Sequence, residues 1–191
     1  MNKGRLEAFS DGVFAVIITI MVLEMKVPQG AALDALTPVL PVFLVYVLSF
    51  VNAGIYWSNH HHMLHAVERV DGRALWANLH LLFWLSLMPF TTGWMGENHF
   101  AALPTAVYGV VLLMAGVAYT LLQAALVAVS GNMKTLSQAV GRDFKGKLSV
   151  VAYACAIPLA FLNQWIADAL YVAVALMWIV PDRRIEKVLA A

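Results

Sequence analysis

Six apolar stretches, each bounded by charges, prolines or polar clusters, dominate the sequence and leave little room for another organisation. They run over residues 12–23, 36–57, 75–95, 103–129, 148–162 and 165–180. A helix needs about 20 predominantly apolar residues to cross the hydrocarbon core of a bilayer, and inside that core it satisfies its own backbone polar groups. Only 12% of the residues are charged and 62% are hydrophobic, whereas soluble domains carry roughly 25% and 45–50%. The pattern therefore predicts an all-α, polytopic membrane protein with six transmembrane helices, forming a single domain over 1–191.

The individual stretches differ. The first has a polar preface from Arg5 and is interrupted at its start by Asp11, with no small-residue cleavage site before Glu24. It is expected to remain as a helix rather than be removed as a signal peptide. The fourth would be about 40 Å long as a helix and must tilt within a core of about 30 Å. The fifth and sixth are short, with Asn163 and Gln164 expected to end helix five. Pro89 and Pro158 lie inside stretches three and five. Each is expected to kink its helix or free a carbonyl for a neighbour to satisfy.

The basic residues orient the bundle. Lys3, Arg5, Arg69, Arg73, Lys134, Arg142, Lys145, Lys147, Arg183, Arg184 and Lys187 fall at the N-terminus, in the second and fourth connections, or at the C-terminus. Only Lys26 falls on the other side, together with Glu24, Asp34, Glu97 and Asp168. By the positive-inside rule both termini are cytoplasmic. The net charge of +1 leaves no basic footprint for nucleic acid. A single cysteine, Cys155, allows no intramolecular disulfide and no Cys-based zinc site, and in its apolar run it is expected to be buried and inert.

Polar groups inside spans are the informative ones, because each is costly in lipid unless partnered. Asp11 is the one ionisable side chain plainly inside a span, six residues or about 9 Å beyond Arg5. It needs a hydrogen-bond donor. The cytoplasmic end of helix two offers candidates at similar depth in Trp57-Ser58-Asn59-His60-His61-His62, and helix three offers Asn78. A histidine imidazole bonded to Asp11 would satisfy both groups, with Trp57 and Asn78 as further donors. At 100° per residue Val16, Thr19, Ile20 and Leu23 form one stripe of helix one, and Asp11 lies about 140° from Val16. The carboxylate and the stripe therefore face different surroundings.

Arg5, Phe9, Ser10 and Asp11 spell RxxxFSD, and the stretch FSDGVFAVIITIMVLEMKVP resembles the first helix of the bacterial transmembrane protein 175 family of potassium channels. Trp57, His60 and His61 are similar to the family's WxxHH at the end of helix two, and Asn78 with Pro89-Phe90 resembles its third-helix pattern. The specific likeness covers about the first 90 residues. It implies one six-helix repeat per chain, assembled as a homotetramer in the plasma (inner) membrane, with the first helix of each subunit lining a central pore for K⁺ and no TVGYG filter. It further implies apolar constrictions at Val16, Ile20 and Leu23 and a threonine associated with potassium preference at Thr19. Val16 is smaller than the Ile or Leu usual at the first constriction.

Together these features predict a potassium-permeable cation channel with no cofactor beyond the permeant ion. In it the residues Arg5, Phe9, Ser10, Asp11, Trp57, His60, His61 and Asn78 clamp helix one to helices two and three, and the stripe makes the conduction path. Apolar rings can gate by excluding water, and four Thr19 hydroxyls would supply side-chain oxygens at that depth. Glu7 and Glu24 would mark the inner and outer mouths and concentrate cations there. Two other readings use the same residues. Asp11 beside the His60–His62 cluster would suit a proton-coupled transporter, against which the lack of internal repeats counts. His61 and His65, four residues apart, would suit a metal-dependent membrane enzyme, but no nearby Cys or HExxH accompanies them. Thr91-Thr92-Gly93-Trp94-Met95-Gly96 has a superficial likeness to a potassium filter but directly ends the third span, with no pore helix before it. Trp94, Phe100, Trp165 and Trp178 are expected at the membrane interfaces.

Overall fold

The computed structural model describes residues 3–129 and 144–179, all of whose regular structure is helical. The helices are α1 (Lys3–Leu23), α2 (Leu40–His65), α3 (Gly72–Ser86), α4 (Met88–Glu97), α5 (Ala102–Val129), α6 (Phe144–Leu162) and α7 (Gln164–Ile179), with a single 3₁₀ turn at Leu33–Leu36. Five helical stretches, counting Gly72–Glu97 as one, are long and apolar enough to cross a membrane. The sixth, α7, is apolar but has 16 residues, about 24 Å against a core of about 30 Å. The chain is thus a polytopic membrane protein of five to six helices. Of the basic residues used above for orientation, Lys134, Arg142, Arg183, Arg184 and Lys187 lie outside the described residues.

The prolines behave differently from one another. Pro89 sits in the first turn of α4, where it needs no amide donor, and the third span breaks into α3 and α4 at Leu87. Pro158 stays inside α6, which remains helical from Phe144 to Leu162. The fourth stretch forms one helix of 28 residues. Asn163 alone separates α6 from α7 and caps the latter, its side-chain oxygen accepting from the Trp165 amide at 3.0 Å. Gln164 therefore opens α7 rather than ending the helix before it.

Packing is organised around α5, which contacts α3, α4, α6 and α7. Its small and aliphatic face, including Leu112, Ala115, Ala118, Leu122 and Leu126, is fully buried. Two glycines mark close approaches. Gly96 of α4 lies against α2, where a Cβ would fall 2.5 Å from the Val42 Cα, and Gly109 of α5 lies against the Tyr171 ring of α7. In contrast, α1 packs on α2, α3 and α4 and sits at the edge of the bundle. Cys155, expected to be buried, faces outward on α6. The apolar setting inferred from sequence is there, but on the outer surface of α6 instead of its packed side.

Candidate functional site

The edge position gives α1 two unlike faces. Leu6, Ser10, Phe14, Ile17 and Met21 recur every three or four residues and are buried against the bundle. On the other side Val16, Ile20 and Leu23 are 54%, 40% and 80% exposed. Thr19 is exposed between them and donates its hydroxyl proton to its own helix, at 2.9 Å to the Val16 carbonyl and 3.0 Å to that of Ala15. With the proton directed along the helix, the oxygen lone pairs are left for a group approaching from outside. Thr19 thus contributes acceptor oxygen to an otherwise apolar face.

The buried face is fastened at its N-terminal end by hydrogen bonds to two neighbouring helices. Ser10, fully buried, donates to the Leu6 carbonyl at 2.8 Å and accepts from Asn78 Nδ2 of α3 at 3.0 Å. Asn78 Oδ1 in turn lies 2.7 Å from His60 Nε2 of α2. Because an amide oxygen can only accept, His60 carries its proton on Nε2 here. Phe14 packs edge-on to the same imidazole at 5.8 Å. Asp11 accepts from Trp57 Nε1 at 2.9 Å. The bond from histidine to Asp11 expected above is therefore replaced by one from tryptophan, because Asn78 takes the His60 proton. Lys3 completes the docking by donating to the Leu64 and His65 carbonyls at the C-terminus of α2, at 3.3 and 3.5 Å, where a cation is favoured.

Arg5 and Phe9 do not join this bonding. Both are exposed and project from the side of α1 that carries Val16 and Ile20. His61 is also exposed and stacks on Trp57 and His65, with ring centroids 5.9 and 5.7 Å away. Glu7 is half-buried and 3.9 Å from Lys3, whereas Glu24 is exposed just beyond α1. At the same end as Glu24, Lys26 and Glu97 pair at 2.7 Å, and this contact raises the lysine pKa. Residues 91–96 lie within helical α4, so their carbonyls follow the helix and do not line up as a filter.

A second network was not anticipated from the sequence. Ser49 of α2 bonds Thr92 of α4 at 2.7 Å and Tyr108 of α5 at 3.0 Å, and Thr92 reaches Met21 Sδ of α1 at 3.8 Å. It ties the far half of α1 to the core as the Ser10–Asn78–His60 chain ties the near half. Hydroxyls at comparable depth in three different spans were the available signal, since in lipid such groups seek one another.

With this geometry in view, comparison with known proteins is decisive. The family model described as endosomal/lysosomal potassium channel TMEM175 matches residues 5–89. A potassium channel of Chryseobacterium sp. (strain P1-3) is 52% identical over 187 residues, covering 98% of this chain and 97% of that protein. The chain belongs to the TMEM175 family. A potassium channel of Streptomyces collinus is 39% identical over 131 residues, 62% of each chain. The crystal structure of a lysosomal potassium-selective channel TMEM175 homolog from Chamaesiphon minutus superposes with a TM-score of 0.79 at 28% identity, covering 93% of this chain and 96% of that one. TMEM175 proteins are ion channels and not enzymes. The TMEM175 match over 5–89 spans α1, α2 and α3, and so includes the exposed stripe and every member of the Ser10–Asn78–His60 chain.

Proposed function

We propose that this chain is a potassium-permeable cation channel of the multi-pass type, conducting through a pore lined by α1 from several copies. The observation that carries the reading is the division of α1. One face is bonded and packed into the subunit, and the other exposes Val16, Thr19, Ile20 and Leu23 in a continuous stripe. One chain supplies one such helix, so a pore requires copies arranged around an axis, and a homotetramer fits the resemblance. In that assembly Val16, Ile20 and Leu23 form apolar rings that constrict the path, and the outward lone pairs of Thr19 form a ring of acceptor oxygens for a partly dehydrated K⁺. Glu7 and Glu24 stand at the two mouths. With both termini cytoplasmic, Glu24 faces outward from the plasma membrane.

The names of the relatives support potassium as the permeant ion, since the Chryseobacterium and Streptomyces proteins are both called potassium channels. The transporter reading required Asp11 and a histidine to share a proton, whereas Asp11 and His60 have different partners. The test is planar-bilayer recording of purified protein in asymmetric KCl and NaCl. Single-channel currents with a reversal potential on the potassium side are expected, and Val16→Asn and Ile20→Asn should raise conductance by hydrating the constrictions. Absence of unitary events, or conductance indifferent to both substitutions, would reject the reading.

A further inference from the structure

A cavity of about 40 Å³ lies within the chain between α2, α5, α6 and α7, with no residue of α1 in its lining. Gly116 of α5 keeps it open. A Cβ at that position would stand 3.7 Å from both the Tyr56 hydroxyl of α2 and Val150 of α6, so any larger side chain there enters the space. Ile55, Tyr56 and Asn59 share one face of α2 toward the cavity, and Ser149 and Tyr153 share one face of α6. Trp178 of α7 joins them, its ring held by a hydrogen bond from Nε1 to Ser149 Oγ at 2.8 Å.

Several of the polar groups in the lining have already placed their protons. Tyr56 donates to the Leu112 carbonyl at 3.5 Å, Asn59 Nδ2 to the Ile55 carbonyl at 3.0 Å, and Ser149 to the Lys145 carbonyl at 2.8 Å. Each still has oxygen lone pairs with which to accept. Tyr153 differs from them. It is 3% exposed and lines the cavity, and its hydroxyl has no hydrogen-bond partner among the described residues. A buried hydroxyl with nothing to bond is costly, and the cavity it borders is where a partner would stand.

The lining contains no Asp, Glu, His, Lys or Arg among the described residues. Lys145, outside the lining, stands 5.8 Å from the Trp178 ring centroid and donates to the Met177 carbonyl at 3.2 Å. A cationic guest would meet that ammonium without a counter-charge, and an anionic one would leave water for a lining with no cation. Water alone is also a poor match. The volume takes about three molecules, each seeking about three bonds, whereas much of the wall is the Ile55 side chain and the faces of aromatic rings. A hydroxyl on a small apolar body suits both parts of the wall, accepting from Tyr153 and donating to a lone pair of Tyr56 or Asn59 while its body packs on the rings. We propose that this cavity binds a small neutral alcohol of a few heavy atoms, with Tyr153 as the donor that recognises its hydroxyl. The proposal is independent of which helix lines the pore.

Quenching of tryptophan fluorescence by 2-bromoethanol in the purified full-length protein tests it, since bromine quenches an indole it touches and Trp178 lines the cavity. A saturable component is expected on top of the linear quenching of the exposed tryptophans, and it should vanish in Trp178→Phe. Tyr153→Phe removes the free hydroxyl without breaking a hydrogen bond among the described residues. It should fold as wild type and weaken the affinity of the saturable component by about 3–10-fold, the worth of one hydrogen bond. Gly116→Val, whose side chain enters the cavity, should abolish that component; if this variant does not fold, Tyr153→Phe decides alone. Bromoethane, which lacks the hydroxyl, and the 2-bromoethylammonium ion should quench linearly. Purely linear quenching by 2-bromoethanol, a saturable component unchanged in Trp178→Phe or Tyr153→Phe, or equal affinity for bromoethane would overturn the proposal.

Discussion

Replacing Asn78 with leucine removes the central link of the chain that docks α1, and its effect can be worked out bond by bond. Asn78 is 0% exposed, accepts from His60 Nε2 at 2.7 Å and donates to Ser10 at 3.0 Å. Leucine has similar bulk but neither group, so the buried His60 N–H loses its acceptor, a loss of about 1–3 kcal/mol. Ser10 keeps its own bond to the Leu6 carbonyl, and the missing donor there adds about 0.5–1 kcal/mol. Interhelical hydrogen bonds in membrane proteins average only about 0.6 kcal/mol, because the unfolded chain in lipid also finds partners. The net expectation is a destabilisation of about 1–3 kcal/mol, or a Tm lower by roughly 3–10 °C for a chain of this size. Tryptophan fluorescence of purified protein during a thermal ramp would read it. Asn78→Asp retains the acceptor for His60 and should lose less, as should Ser10→Ala. An Asn78→Leu protein melting within about 1 °C of wild type, or a Ser10→Ala protein melting lower than Asn78→Leu, would refute the reasoning.

Four other substitutions have distinct expected outcomes. Gly96→Ala places a methyl 2.5 Å from the Val42 backbone, which must separate α2 from α4 at a cost of about 1–3 kcal/mol, checked in the same thermal ramp. Thr19→Val removes a hydroxyl bonded only to its own helix. It should leave Tm unchanged while lowering the K⁺ over Na⁺ permeability ratio measured from reversal potentials. Trp57→Phe deprives Asp11 of its donor and should destabilise by about 1 kcal/mol. Asp11→Asn keeps the acceptor oxygen and should cost less in the same assay.

The parts of the fold read correctly from sequence were those set by composition and local punctuation. Apolar length located the helical stretches, and Pro89 marked the break between α3 and α4, because a missing amide and a fixed φ act wherever the chain is placed. The stripe on α1 was legible because helical periodicity alone puts Val16, Thr19, Ile20 and Leu23 together. Partner choice was not. Trp57, His60 and Asn78 were each identified as candidate donors near the N-terminal end of α1, but which of them meets Asp11 depends on the relative rotation of α1, α2 and α3, to which side-chain pattern is blind. The same blindness hid the setting of Asp168. One turn into α7 it was grouped only by charge, and the pattern gave no sign that both of its carboxylate oxygens would be buried without a hydrogen-bond partner among the described residues. Arg5 and Phe9 belong to a sequence motif with Ser10 and Asp11, but 100° per residue sends them to the opposite face, so adjacency in a motif did not mean adjacency in the bonded cluster.

If the exposed face of α1 lines the conduction path, thiols placed on it are reached by reagents that the buried face excludes. Cysteines introduced one at a time at Ile20 and Ile17, on a Cys155→Ser background that removes the native thiol, distinguish the two faces during single-channel recording. A cationic thiol reagent applied in solution should block current through Ile20→Cys within seconds and leave Ile17→Cys, buried against the bundle, conducting. Unaltered current through Ile20→Cys, or block through Ile17→Cys instead, would place the pore elsewhere.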